Sequence, residues 1–414
     1  MRHAEFSVRC ECFITHRGTD FFPFSRFSRF EFLMQNLPYW RLSGFYFFYF
    51  AFVGAMSPFW AIYLESLAFS AFQIGVLMSL LQVMRIFAPN IWGWMADRSG
   101  KRVMIVQIAA LGSLLCYLGV FFGTSFAWLF AVMATMSFFW SASLPLVEAT
   151  TLSHLGEHSH RYGRIRLWGS VGFIVAVLGL GYWFDVRPIS DLPWAVLGFM
   201  AGIALLARRI PEAAIEVHAA DHQPVWHILR RPEVMALIAA CFLMAVAHGP
   251  YYTFYSIDLV EHGYTKSAVG WLWALGVICE IAVFMWLPRL LPGVSMARIL
   301  LATFAIAVLR FLLIGWAVDY PGWVIFAQVL HAATFGAFHA AAVALIHRYF
   351  RGRHQARGQG IYSSLAFGAG GTLGGLYAGA IWDSLGAQWT FTIAAGFALL
   401  GFGLVAWKLK AMEA

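Results

Sequence analysis

Charge is what this sequence has least of. Of its 414 residues, 12% are Asp, Glu, Lys or Arg, against about 25% in soluble domains, and 61% are hydrophobic. A water-soluble fold cannot hide that much apolar surface, which leaves an integral membrane protein. Acidic residues are outnumbered by basic ones, 20 to 28. The resulting +8 does not point to nucleic acid, because the cations sit in short clusters between apolar runs. Cysteine is scarce too. Cys116, Cys241 and Cys279 lie inside apolar runs, where the thiol acts as a small hydrophobe. Cys10-x-Cys12 is too short and isolated for a zinc site, so neither a metal nor a disulfide framework is expected. A nucleotide-binding loop is missing, as is a sizeable extramembrane segment with a catalytic set; His158 and His160 sit in a short basic turn. These absences argue against an enzyme, a cofactor and ATP-driven pumping. Residues 1–36 mix Arg with Phe, without a helical period or a signal-peptide core. They are read as a disordered N-terminal extension or a mis-assigned start, Met34 being the better one.

What is present is apolar runs of about 20 residues, the length that crosses the hydrocarbon core. They fall near 42–64, 72–95, 103–123, 126–152, 164–184, 192–208, 234–257, 267–288, 296–318, 322–346, 359–382 and 389–407. In lipid only helices satisfy their own backbone over such runs, so the chain is expected to be all-α with twelve transmembrane helices. Eighteen Lys and Arg fall in the even-to-odd connections and after the last span; only Arg187 and Lys266 fall in the odd-to-even ones. The positive-inside rule then puts both termini in the cytoplasm of a multi-pass plasma (inner) membrane protein. The longest internal connection, 211–232, holds Pro211, Pro224 and Pro232 and suits a cytoplasmic linker. It separates two six-helix pseudo-symmetric bundles, 37–210 and 233–414.

The loop after span two reads "GWMADRSGKR", with Gly93, Asp97, Arg98, Gly100 and Arg102. With the 6+6 layout, this resembles the G-x-x-x-D-R-x-G-x-R signature of the major facilitator superfamily. Basic residues there hold the turn at the anionic inner leaflet, and Gly93 would allow close helix contact. The corresponding loop after span eight, "PRLLPGVSMAR", lacks the signature.

A charge at bilayer depth costs at least about 2.5–3.5 kcal/mol, so each one needs a partner or a cavity. The candidates are Arg85 in span two, Glu148 in span four, Arg166 in span five, Glu280 in span eight and Arg310 in span nine, with His248, His331 and His339 and, at the end of span seven, Asp258. Spans four and five are antiparallel neighbours, so Glu148 and Arg166 are expected to pair across their hairpin. Arg85 either lines the cavity or joins Glu148. His248 precedes Gly249-Pro250, a helix break. Tyr251, Tyr252 and Trp271 are candidates to face the cavity. "GAGGTLGGLYAG" (368–379) carries small-x-x-x-small steps and reads as tight helix packing.

"RYGRIRLWGSVGF" (161–173) resembles the start of helix five in the lactose and oligosaccharide permeases, and still more in the phenylpropionate permeases. "AHGPYYTFYSIDLVEHGYTKSAVGWLWALGVICEIAVF" (247–284), "VLRF" (308–311) and "QVLHAATFGAFHAAAV" (328–343) resemble helices seven to ten of the latter. The resemblance covers 37–410. It implies that Glu148 and Arg166 grip a substrate with Phe173 as a stacking ring, and that Glu280, Arg310 and His331 form a proton-coupling cluster, with Glu280 the carrier and Glu280–Arg310 the pair. Arg85, His248 and Tyr252 join the binding set and His339 the coupling set. One departure is Thr334, neutral where lactose permeases hold a carboxylate. Each of these residues has a plainer reading: the ion pairs lock helices together, and the histidines hydrogen-bond between them. The expectation is a monomeric secondary transporter, a proton symporter of a small organic solute such as an aryl carboxylate. A sugar or nucleoside symporter, or a non-transporting sensor on the same fold, is the alternative.

Overall fold

The computed structural model describes residues 37–213, 225–290 and 293–413, the side chains of 157, 287–290, 353, 356 and 409 excepted. The expected extension 1–36 with Cys10 and Cys12, the middle of the linker (214–224), residues 291–292 and the Arg289 side chain lie outside that description.

The helices are α1 Tyr39–Ser66, α2 Ala71–Ser99, α3 Arg102–Phe122, α4 Phe126–Leu155, α5 Tyr162–Val186, α6 Leu192–Ala207, α7 Pro232–Glu261, α8 Lys266–Leu290, α9 Met296–Trp316 and α10 Pro321–Tyr349. A last helical stretch, Arg357–Lys408, is 52 residues long, twice what a bilayer needs. It breaks at Gly386, whose φ of 74° and ψ of 179° no helix accommodates. The break gives α11 (357–385) and α12 (387–413), completing twelve among the described residues. Local chemistry sets the ends. Ser70 and Gln73 form a capping box ahead of α2, Ser125 and Ser295 cap α4 and α9, and Gly100 closes α2 in the left-handed region at φ 64°. The break read at His248-Gly249-Pro250 is present: α7 runs to Ala247, turns at His248 and resumes at Gly249.

In the first half α1 packs on α5 and α6, and α4 on α2 and α3; in the second, α9 packs on α10 and α12, and α7 on α11. One end of the bundle carries the arginine-rich turns and is called the basic face here; the other is the far face. The halves meet along α2–α11, α5–α8 and α1–α7. The closest of these approaches lie toward the far face, where Gly75 meets Gly375 and Gly379, and Gly270 meets the Val177 carbonyl. The glycine run of α11 serves two neighbours. Gly370 and Gly374 lie against Phe242, Val246 and Gly249 of α7, while Gly371, Gly375 and Gly379 lie against α2. At Gly249 a Cβ would land in the backbone of Gly374.

On the basic face two carboxylates tie helix starts within each half. Glu212, after α6, accepts from Val103 N at 3.0 and 3.1 Å, at the start of α3. Glu413, at the end of α12, accepts from Ser295 Oγ at 2.7 Å and lies 2.6 Å from Arg298 Nε, at the start of α9. The Ser295 hydroxyl first, and then Arg298, hold the Glu413 carboxyl below the usual carboxylate range. A depressed carboxylate stabilises the docked tail above its ordinary pKa, and that benefit fades as pH falls through the depressed value. Limited carboxypeptidase digestion checks this: the parent's last helical turn should be protected at neutral pH and released in acid, and Glu413→Ala should be released at both. Equal protection of the two at neutral pH would contradict the contact.

The Gly249–Gly374 approach leaves no room for a side chain. Gly249→Val should destabilise by about 1–3 kcal/mol, as overpacking does. A fall in the thermal midpoint of the detergent-solubilised protein checks it, and an unchanged midpoint would refute such close packing.

Candidate functional site

Arg166 sits in the second turn of α5, and Glu148 two turns before the end of α4. Nε and Oε1 are 4.0 Å apart, and both side chains are about one-third exposed, at 31% and 37%. Tyr162, one turn before Arg166, donates its hydroxyl to Glu148 Oε1 at 3.1 Å. The guanidinium lies over the Phe50 ring of α1, 3.8 Å from its centre. Gly169 leaves it room, since a Cβ there would come within 2.7 Å of Arg166 Nη1. A loose, part-wet pair held by an aromatic face keeps both charges available to a ligand.

The second half holds its charges differently. Arg310 is fully buried in α9. It donates to Ala327 O at 3.0 Å, to Gln328 Oε1 at 3.4 Å and to Thr334 Oγ1 at 3.4 Å, and lies 4.2 Å from the centre of the Tyr251 ring. Glu280 instead meets His331 Nε2 at 2.8 Å. The direct Glu280–Arg310 pair is therefore replaced by a Glu280–His331 pair. The reason is chemical: neutral oxygens of α10, including the hydroxyl of Thr334, engage all three nitrogens of the guanidinium, and Glu280 meets the imidazole instead. The His331 ring lies between Tyr251 and Phe335, at 5.2 and 5.5 Å. A wide π-helical turn, Ala332–Ala337, follows it, a feature that often marks functional sites. His331 Nδ1, His248 Nε2 and Gln328 Nε2 are buried with no hydrogen-bond partner. Native interiors leave such groups unpaired rarely, and they suit a site that fills and empties.

A narrow cavity of about 40 Å³ lies here, walled by Gln82, His248, Tyr252, Thr334, Phe335 and Phe367 among others. That is roughly the room of one water, so a solute needs the walls to part. A larger hollow of about 720 Å³ opens on the basic face beside Arg231, Arg348 and Arg351. Its charges are already engaged: Arg231 pairs with Glu233, and Arg348 donates to the carbonyls of Met412 and Glu413.

The remaining candidates divide. Arg85 bonds Gln82 and lies over Phe367 of α11, on the cavity side rather than on Glu148. His339 reaches Tyr362 Oη at 3.3 Å and stacks on Phe335. His248 Nδ1 is engaged with its own helix at Met244 O. Phe173 is buried on α5, its ring centre 6.4 Å from that of Trp273 on α8, while its backbone carries the close approach to Gly54 of α1. Trp271 does not face the cavity: it is half-exposed near the far face and donates to Tyr182 Oη. Asp258 lies 3.4 Å from His262 Nδ1 near the far face, away from the cavity. At the end of α2 Asp97 is exposed and Arg98 lies over Trp94, and at the start of α3 Arg102 donates to Ser153. Gly93 makes no close contact: a Cβ there would meet nothing, because the face of α2 that packs on α4 is the one carrying Trp92 and Ala96. Tyr162, Gln82 and Gln328 escaped the sequence reading, which weighed ionisable groups. Their signal was polarity within or beside an apolar run.

A twelve-helix bundle in two halves, closed toward one face and with paired charges in its interior, is the architecture of a membrane transporter. The sequence profile of the MFS_1 like family matches residues 39–393, and the chain belongs to that family. It is 30% identical over 354 residues to a probable 3-phenylpropionic acid transporter of Escherichia coli K12, covering 84% of this chain and 92% of that one. It is 29% identical to the maltose permease of Geobacillus stearothermophilus, covering 84% and 89%. A crystal structure of the nucleoside transporter NupG, in a mutant form, superposes with a TM-score of 0.79 at 17% identity, over 91% of this chain and all of that one. These relatives are transporters, not enzymes.

Glu148→Gln separates a ligand grip from a helix lock. Part-exposed ion pairs contribute about 0–1 kcal/mol, so the thermal midpoint should barely move while substrate uptake falls by an order of magnitude or more. A large drop in midpoint with proportionate loss of uptake would make the pair a lock.

Proposed function

We propose that the protein is a proton-coupled symporter of a small organic solute, an aryl carboxylate first among the candidates. The observation that carries this reading is a division of labour between the halves. One half offers a loose Arg166–Glu148 pair reachable from the basic face; the other buries a Glu280–His331 pair beside a fixed guanidinium. Arg166 suits a carboxylate. Tyr252, Phe335 and Phe367 suit an aryl group. The similarity to a probable 3-phenylpropionic acid transporter favours the same class. Sugars and nucleosides, which the maltose permease and NupG carry by name, are the second reading. Under this reading Glu148, Arg166, Arg85, His248 and Tyr252 bind the solute. Glu280, His331 and His339 handle the proton, and Arg310 biases them as a fixed charge.

The arginine-rich face is taken as cytoplasmic in an inner membrane, with 37–210 and 233–414 rocking as a monomer about the linker 211–232. The signature Gly93, Asp97, Arg98, Gly100 and Arg102 then acts at the inner gate. Two short side chains sharing one proton can load it on one side and release it on the other, if solvent reaches them alternately. Uptake into proteoliposomes, inside alkaline, screened across labelled aryl acids, sugars and nucleosides, tests the substrate class. Accumulation of an aryl acid alone is the expected result, and accumulation of a sugar or nucleoside alone would overturn it.

Glu280→Gln tests the coupling. It should abolish accumulation driven by a pH gradient and leave solute exchange, which moves no net proton, at a substantial fraction of the parent rate. Undiminished accumulation would make Glu280 a structural partner of His331.

A further inference from the structure

Two stretches at the far face repeat one pattern: Gly181-Tyr-Trp-Phe-Asp185 ends α5, and Gly379-Ala-Ile-Trp-Asp383 ends α11. These helices hold equivalent places in the two halves. Each stretch meets the first turn of a helix from the other half. A Cβ at Gly379 would come within 2.7 Å of Ala71 O and 3.1 Å of Gly75 Cα, at the start of α2. One at Gly181 would come within 2.8 Å of Lys266 O and 3.0 Å of Ser267 Cα, at the start of α8. Four residues on, one turn further along the same face, stands the aspartate. Asp383 Oδ2 accepts from Ala71 N at 3.3 Å, and Asp185 Oδ1 accepts from Ser267 N at 3.2 Å.

We infer that Asp185 and Asp383 are gating residues of the transport cycle: a duplicated Gly-x-x-x-Asp clasp, one from each half, that holds the far face shut. The glycine brings a helix start against the backbone, and the carboxylate then takes one of the N–H groups that a first turn leaves without an intrahelical acceptor. The positive end of the helix dipole favours a carboxylate there. Glu212 makes the same kind of contact on α3, and Glu413 holds the start of α9 through the Ser295 hydroxyl and Arg298, but each within one half. Rocking the halves leaves those two intact and must break the two clasps, since opening the far face draws α2 from α11 and α8 from α5. The freed N–H groups and carboxylates then hydrate, so each clasp costs the cycle a modest free energy rather than a barrier. The clasps share one rigid-body motion but no atoms, so their effects on the closed-to-open ratio multiply.

The inference rests on alternating access. Its test reads conformation and not uptake, so its failure would leave the transport reading standing. Spin labels go on Ser66→Cys and Leu385→Cys, at the far-face ends of α1 and α11, in the full chain with its five native cysteines replaced by Ala. Pulsed electron–electron resonance in lipid then gives the fraction of molecules with a long far-face distance. Asp185→Ala and Asp383→Ala should each raise the open-to-closed ratio about fivefold, and together about 25-fold, the scale of losing one helix-capping side chain or two. Asp→Asn at both positions keeps an acceptor and should shift the ratio less, in the same direction. Glu212→Ala and Glu413→Ala should leave it unchanged. A double Asp→Ala variant with the parent's distance distribution would overturn the inference. So would Glu212→Ala or Glu413→Ala moving the ratio as far, which would mark the shift as general loosening. Thermal midpoints of all variants identify any that fail to fold, and the paired Asn variant then decides.

Discussion

Hydrocarbon offers no partner to a hydrogen-bonding group, and the whole architecture answers to that. The backbone is helical because only a helix closes its own bonds in lipid. Where the helix is interrupted, at His248 in α7, in the wide turn of α10 or in a second π-helical turn, Ser363–Gly370 of α11, the interruption lies against the cavity or a neighbouring helix. The same rule governs the side chains. Arg310 satisfies its fork on a carbonyl, an amide and a hydroxyl, and covers its face with Tyr251. Under the proposed reading a guanidinium held this way acts as a fixed charge, and Glu280, His331 and His339 are the groups left to carry a proton.

Under the proposed transport cycle the halves separate at one face and then the other, so their contacts must be close yet breakable. Glycine against backbone meets both needs. It removes side chains that would interlock, and it brings helix starts within reach of carboxylates. The contacts inside each half, by contrast, bury large aromatic side chains such as Trp60 and Tyr117, and dispersion there is extensive.

Much of this was legible in the sequence. Span number, helix type and the 6+6 layout follow from length and hydropathy, which are coarse properties that tertiary packing does not override. The α11–α12 junction reads as two spans because Asp383, Ser384 and Gln388 interrupt the apolar run, and the structure breaks the helix there, at Gly386. The pairing of Glu148 with Arg166 followed from hairpin geometry, and the structure puts them 4.0 Å apart. Less could be read where partners come from distant segments. That Glu280 meets His331 and not Arg310 depends on how α9 and α10 rotate about their axes, and on two neutral residues, Gln328 and Thr334, whose acceptors displace a carboxylate only in three dimensions. Gly93 looked like a contact glycine because of its motif, yet its surroundings are open here. Trp271 carries the right ring chemistry on the wrong helix face for the cavity, a distinction that apolar runs without a polar stripe do not encode.

The account stands on one claim, that solute and proton cross together. It is met most directly by following pH inside weakly buffered, de-energised vesicles holding the purified protein, while 3-phenylpropionate is added outside. Permeation of the undissociated acid is subtracted with protein-free vesicles. Symport predicts a protein-dependent acidification of the lumen that tracks labelled solute uptake at a fixed ratio and disappears in Glu280→Gln. Protein-dependent solute entry with no accompanying pH change would contradict it.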